Sequence, residues 1–222
     1  MDGAVAIVLA AGRGERMDTT IPKALMTLGG TTILVRAVER ADAAASVSSV
    51  VVVAPPGWEE TVRRLVEAYR VDAVVAGGAT RQASVLAGLS VVPPDAERVI
   101  CHDAARPLAS SALFERTLEA LVGWDGVVPV LPMIDTVKRV QDGRVEGTEP
   151  RDSLALAQTP QAFAAPALRE AHERAVRDGF EATDDALLLE RAGYRVRAIE
   201  GERTNLKITT REDIVLAEAL GG

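Results

Sequence analysis

The chain has 222 residues and a mass of 23.4 kDa, long enough for one large domain with a full core or for a domain plus an appendage, and the second is expected. Hydrophobic residues make up 48% but aromatics only 3%, so the core must be built from Val, Leu, Ala and Ile, which suits buried parallel strands covered by helices. A net charge of −7 argues against nucleic acid, the single Cys101 excludes an intramolecular disulfide and a cysteine-rich metal cage, and Arg13, Glu15 and Arg16 end the first apolar run too early for a membrane span; a soluble cytoplasmic protein is expected.

Apolar, β-branched runs at 4–9, 49–54, 72–76, 98–102 and 126–131 predict strands. Amphipathic stretches at 31–41, 59–69, 81–91 and 110–122 predict the helices between them. This alternation predicts right-handed βαβ crossovers and an α/β fold with a doubly wound, mostly parallel sheet of the Rossmann-like kind. After residue 131 the pattern changes. Polar and apolar residues alternate at 136–140 and 144–146 around Gln141-Asp142-Gly143, which predicts a β-hairpin arm within residues 132–153 of a single 1–222 domain. A two-stranded ribbon is marginal alone, so it either folds back on its own domain or reaches a second subunit. Helices are expected again at 166–177 and 183–192, then a strand at 194–199. A last helix at 210–220 opens on Thr210, Glu212 and Asp213.

Ligands of such sheets bind outside the carboxyl ends of the strands. The informative motifs sit there. Leu9-Ala10-Ala11-Gly12-Arg13-Gly14-Glu15-Arg16-Met17 follows the first strand, Gly77-Gly78 the third and Asp103-Ala104-Ala105-Arg106-Pro107 the fourth. In the first loop, Ala10, Ala11, Gly12 and Gly14 let backbone approach a ligand and point N–H groups at it, while Arg16 and Lys23 add fixed positive charge, as a triphosphate cradle requires. The loop lacks Walker spacing, and Met17 occupies the place of the third glycine in a dinucleotide fingerprint. The second strand also ends without the acid that holds a ribose in dehydrogenases.

Six ordered blocks resemble the 2-C-methyl-D-erythritol 4-phosphate cytidylyltransferase family. They are Ala10-Ala11-Gly12-x-Gly14-x-Arg16-Met17 with Pro22-Lys23, His102 to Pro107, Asp135-Thr136-Val137-Lys138, Gln158-Thr159-Pro160-Gln161, Thr183-Asp184-Asp185, and Asn205-Leu206-Lys207-Ile208-Thr209. The resemblance implies transfer of a cytidylyl group from CTP to methylerythritol phosphate in non-mevalonate isoprenoid synthesis, by a homodimer whose arms embrace. It implies that Ala10, Ala11, Gly12 and Gly14 hold the CTP phosphates and that Gly78, Ala79 and Ser84 read cytosine and ribose. Arg16 and Lys23 would stabilise the transition state, and Arg151 and Lys207 would position the acceptor phosphate. Asp103, Arg106, Thr136 and Thr159 would complete the acceptor pocket, some of them from the partner chain. Ala24 and Ala79 depart from residues common in the family, glutamine and aspartate respectively.

A phosphomonoester is already mostly dianionic at neutral pH, so this chemistry needs no general base; it needs in-line positioning and charge neutralisation. Mg²⁺ held mainly by the triphosphate, with Asp103 as a further ligand, would share that task, and Arg16, Lys23, Arg151 and Lys207 are expected to converge on one pocket. Other readings are a ribitol 5-phosphate or other polyol-phosphate cytidylyltransferase, a guanylyl- or sugar-nucleotide transferase, and a non-catalytic nucleotide sensor. Asp103 could instead cap a helix, His102 is expected to be a packed strand-end residue, Asp184-Asp185 a helix N-terminal charge pair, and Lys138 and Arg139 solvated charge. The chain is expected to lack the second catalytic domain fused to some relatives.

Overall fold

The computed structural model describes residues 3–12 and 21–221. Strand β1 (Ala4–Leu9) is buried throughout. Its Ala4, Ala6 and Val8 enter one apolar layer, and Val5, Ile7 and Leu9 enter the opposite one, the pattern of a central strand covered on both faces. Beyond a short 3-10 turn at Lys23–Leu25 lie the small strands β2 (Thr27–Leu28) and β3 (Thr31–Thr32), then helix α1 (Ile33–Asp42), β4 (Val47–Ala54), α2 (Glu59–Leu65) and β5 (Val71–Ala76). Next come α3 (Arg81–Leu89), β6 (Arg98–Asp103), α4 (Ser111–Glu119) and β7 (Gly126–Pro132). The chain then forms β8 (Val137–Gln141), β9 (Arg144–Glu149), β10 (Ala155–Ala157), β11 (Gln161–Ala164), α5 (Ala165–Asp178), α6 (Asp185–Arg191), β12 (Val196–Glu200) and α7 (Arg211–Ala219).

The main sheet runs β5-β4-β1-β6-β11-β7-β12, with β10 beside β7. The pairs among β5, β4, β1 and β6, and the β7–β12 pair, are parallel, whereas β10 and β11 run antiparallel to their neighbours. Helices α1, α2 and α4 cover one face and α3, α5 and α6 the other, so the doubly wound, mostly parallel architecture expected from the sequence is present. From β1 the chain winds outward through β4 and β5, and α3 then carries it back across to β6 on β1's other side. The carboxyl ends of β1 and β6 therefore flank the point where strand order reverses.

Three local differences from the sequence reading have physical causes. Helix α2 ends at Leu65, four residues early, because Val66 leaves helical geometry and the chain turns to enter β5 at Val71. Strands β10 and β11 went unpredicted because they are three and four residues long and are separated by the polar segment 158–160, whose Thr159–Pro160 peptide is cis. A third small core, formed by Leu28, Ile33, Ile208 and Ala217, fixes α7 against the β2–β3 ribbon.

The expected hairpin forms from β8 and β9, and Asp142 (φ 49°) with Gly143 (φ 77°) gives the two positive φ values of a type I′ turn. It is a separate two-stranded sheet, largely exposed, and it presents Val140 and Val145 to solvent. It does not fold back onto the main sheet.

Helix α3 lies close to the sheet at Gly88, where a Cβ would stand 2.6 Å from Ile7 Cγ2 and 3.1 Å from Val53 Cγ2. Both neighbours are β-branched residues of buried strands and cannot swing away. Gly88→Val is expected to destabilise the protein by about 3 kcal/mol, the upper range for overpacking. Denaturant unfolding with an unchanged m-value measures it, and an unchanged midpoint would show that α3 shifts freely on the sheet.

Candidate active site

A cleft of about 440 Å³ opens at the carboxyl ends of β1 and β6. Backbone bonds from Ala10 N–H to Val53 C=O (2.8 Å), Gly77 N–H to Ala54 C=O (2.9 Å) and Ala104 N–H to Leu9 C=O (2.9 Å) lock the loops after β1, β5 and β6 together. Gly77 permits this approach, since a Cβ there would lie 2.1 Å from Ala11 Cβ. At Gly12, by contrast, a Cβ would meet only open space, so that residue presents bare backbone to the cleft. Across from Ala10, Ala11 and Gly12, the wall is the N-terminus of α3 with Gly78, Ala79 and its cap Thr80, where free N–H groups and the helix dipole favour an anion. Ser84 also lines the cleft, but its hydroxyl accepts from Gly78 N–H (3.1 Å) and donates to Thr80 C=O (2.9 Å). It shapes the loop before α3 as well as facing the cleft.

The floor is ionic. Asp103, the last residue of β6, accepts from Arg81 Nε at 3.1 Å and from Lys207 Nζ at 2.7 Å. Burial alone would raise the pKa of this carboxyl, yet Arg81 and then Lys207 hold it well below the usual carboxylate range. Arg81 also donates from Nη1 to Asp185 (2.8 Å), and the two carboxylates outweigh burial to keep its guanidinium firmly charged. Lys23 enters from the 3-10 turn and donates from Nζ to Ile208 C=O at 2.8 Å. Lys23, Lys207 and Asp103 thus share one cleft.

A second hollow of about 220 Å³ adjoins the first through Arg81, Asp103 and Lys207, and Arg106, Thr159 and Gln161 also line it. Arg106 donates to the carbonyls of Asn205 (2.9 Å) and Ala157 (3.2 Å) and pairs with no carboxylate among the described residues; burial lowers its pKa. Thr159 Oγ1 accepts from Asp103 N–H (3.0 Å) and lies 3.1 Å from His102 Nδ1. His102 Nε2 faces Arg106 C=O (3.2 Å), which can only accept, so Nε2 carries the proton and Thr159 donates to Nδ1. Complete burial holds the His102 pKa down to about 4 despite Asp103, so the ring is neutral at working pH, a packed residue as expected. Gln158 binds the backbone of Glu202 and Asn205 on both sides of its amide, and Asn205 donates to Thr159 C=O (2.9 Å). The Gln158-to-Gln161 and Asn205-to-Thr209 motifs are therefore one clamp that delivers Lys207 to Asp103.

Most of the residues singled out in the sequence meet here. Ala10, Ala11, Gly12, Lys23, Gly78, Ala79, Ser84, Asp103 and Lys207 line the cleft, and Arg106 and Thr159 line its neighbour. Gly14 and Arg16 lie outside the described residues. Arg151 corrects the expectation that it converges with Lys23 and Lys207 on one pocket of its own chain, and Thr136 likewise stands away from that chain's acceptor hollow. Arg151 stands in a 3-10 turn at the base of the arm, donating to Ile134 C=O (2.6 Å), and Thr136 lies exposed at the start of the hairpin; neither lines its own chain's cleft. Asp103 pairs with cations and does not cap α4, which Ser110 caps. Asp184 caps α6 through Leu187 N–H, whereas Asp185 turns inward to Arg81 and His172. Sequence reasoning missed Arg81. A cation as the first residue of a helix opposes the macrodipole, a signal that acids must await it elsewhere.

Comparison with known proteins agrees with this geometry. The family model for 2-C-methyl-D-erythritol 4-phosphate cytidylyltransferase (IspD) matches residues 4–221. The 2-C-methyl-D-erythritol 4-phosphate cytidylyltransferase of Rhodococcus opacus is 49% identical over 218 residues, covering 97% of this chain and 94% of the relative. The crystal structure of the like-named protein from Thermus thermophilus is 39% identical with a TM-score of 0.83, covering 98% of each chain. That of 4-diphosphocytidyl-2C-methyl-D-erythritol synthase from Anaerococcus prevotii has a TM-score of 0.87 at 32% identity, covering 98% of this chain and 95% of the other. With similarity running from the first strand into the last helix, the chain belongs to the 2-C-methyl-D-erythritol 4-phosphate cytidylyltransferase family.

Proposed function

We propose that the protein transfers the cytidylyl group of CTP to 2-C-methyl-D-erythritol 4-phosphate and releases pyrophosphate, a step of non-mevalonate isoprenoid synthesis. One observation carries the reading. A cleft of nucleotide size is lined both by anion-binding backbone and by the cations Lys23 and Lys207, beside a second polar hollow. The triphosphate would lie along Ala10, Ala11, Gly12 and the α3 N-terminus, with the acceptor phosphate at the junction near Lys207. An acceptor oxygen then forms a bond to the α-phosphorus as the bond to the β-phosphate oxygen breaks. The nucleophile is already anionic, so the residues serve to align it and to offset the repulsion between two anions. Lys23, and Arg16 as the family resemblance implies, would stabilise charge on the transferring and leaving groups.

Mg²⁺ fits a site of this kind as a partner of the nucleotide. No cluster of three or more His, Cys, Asp or Glu side chains able to hold a metal exists among the described residues, and Asp103 is the one carboxylate among those lining the cleft. The triphosphate oxygens would supply most ligands, and the ion would neutralise phosphoryl charge.

The exposed arm, with Val140 and Val145 bare, supports a homodimer in which residues 132–153 reach the other subunit and bring Arg151 and Thr136 to its acceptor hollow. No helix among the described residues is long and apolar enough to cross a membrane, and a cytoplasmic location accords with the buried free Cys101.

Pyrophosphate release with CTP, Mg²⁺ and a panel of polyol phosphates tests the reaction, and no release with methylerythritol phosphate would overturn it. Lys23→Ala is expected to lose about 3 kcal/mol of transition-state stabilisation, on the order of a hundredfold in kcat, as for an oxyanion-hole donor. Near-normal turnover at saturating substrates would remove Lys23 from the chemistry. Lys207→Ala and Arg151→Ala should each raise the acceptor KM and spare the CTP KM. Mixing the two variants under subunit exchange should return part of the activity at low acceptor concentration to the parent KM, because one site of each mixed dimer regains both cations; no such recovery would refute the shared arm.

A further inference from the structure

Behind Asp103 lies a buried chain of polar groups that the transfer, as described, does not use. Arg81 gives Asp103 a single N–H, from Nε to Oδ1, and gives its Nη1 to Asp185 Oδ2. Its third nitrogen, Nη2, is buried with no partner. The Nε and Nη2 edge of a guanidinium can grip a carboxylate through two parallel N–H···O bonds. Arg81 is therefore one bond short of a bidentate pair with Asp103, and the bond from Nη1 to Asp185 holds the guanidinium in that orientation.

Asp185 is itself over-determined. It is 1% exposed, its Oδ1 lies 3.0 Å from Nε2 of the fully buried His172, and the Cys101 thiol faces it as well. His172 comes from α5, Asp185 from the first turn of α6 and Arg81 from the first turn of α3, so three helices of one face converge behind the cleft. A carboxylate has about four acceptor positions. With one N–H from Arg81 and one from Lys207, Asp103 keeps about two of them for a ligand; a bidentate Arg81 would take one away and turn the carboxylate toward α3.

We propose that Asp185 and His172 are positioning residues for the transfer: Asp185 splits the Arg81 fork so that Asp103 keeps acceptor capacity for a hydroxyl of the polyol phosphate, and His172 holds Asp185 in that orientation. The inference rests on the cytidylyl-transfer reading above and extends it to groups that touch no substrate.

Asp185→Asn keeps the shape and removes the charge that pins Nη1. It should raise the acceptor KM about tenfold, the loss of roughly one hydrogen bond to a charged group, while the CTP KM stays close to that of the parent. His172→Gln retains an N–H for Asp185 and should keep the parent acceptor KM; His172→Leu should reproduce the rise. Melting temperatures of all three variants are measured alongside. Variants that melt lower while both KM values stay at the parent level would show a purely structural role and overturn the proposal, as would a rise shared equally by CTP and acceptor. Equal acceptor KM values for the Gln and Leu variants would remove His172. A parent chain that turns over no polyol phosphate overturns the transfer reading and this inference together, whereas an active parent with unaffected variants overturns the inference alone.

Discussion

The ion pair of Asp103 with Arg81 and Lys207 joins three parts of the chain that are far apart in sequence. Asp103 ends β6, Arg81 begins α3, and Lys207 lies in the segment before α7. A carboxylate this deeply buried is tolerable only when charge partners and hydrogen bonds replace its water. Here the two cations do so, while the clamp of Gln158, Thr159 and Asn205 holds the segment that carries Lys207, and the geometry they impose decides where the cleft ends and the second hollow begins. Loss of either cation would leave buried charge uncompensated, so the arrangement behaves as a unit and its members cannot be ranked by separate energies.

The sheet explains why the unit sits where it does. Reversal of strand order between β1 and β6 opens a crevice that no crossover helix can fill, and loops from both strands meet over it. Gly77 brings the β5 loop against Ala11, and Gly88 draws α3 down onto Ile7 and Val53, which aims the helix N-terminus at the crevice. Close packing of small residues thus becomes an electrostatic feature: backbone N–H groups and side-chain cations line one cleft. In an acidic protein this local inversion of sign is what allows an anionic ligand to bind.

The sequence was most legible where one physical pattern dominates. Strands β1, β4, β5, β6 and β7 show as β-branched runs because both faces are buried, and the Asp142-Gly143 turn shows because few residues accept positive φ. Lys23, Asp103 and Lys207 were legible through their motifs, and the structure brings them together. Arg81 and Asp185 were not, because the bond that joins them spans 104 positions of the chain and neither residue's own surroundings in sequence name the other. Strands β10 and β11 were hidden for a similar reason: too short to show a period, they exist because β6 and β7 offer unpaired edges on either side.

Arg151 marks the limit of single-chain reasoning. The family resemblance implies that it positions the acceptor phosphate, yet its guanidinium lies at the base of an arm whose apolar residues face solvent. An isolated ribbon with this exposure is stable only against a partner surface. In a two-fold assembly, self-complementary contacts would make each arm a wall of the opposite subunit's hollow. The cation missing from the cleft and the cover missing from the arm would then have one remedy. On that account the exposed valines would bring the last phosphate-binding charge to the site, and dimerisation would belong to the chemistry as much as to stability.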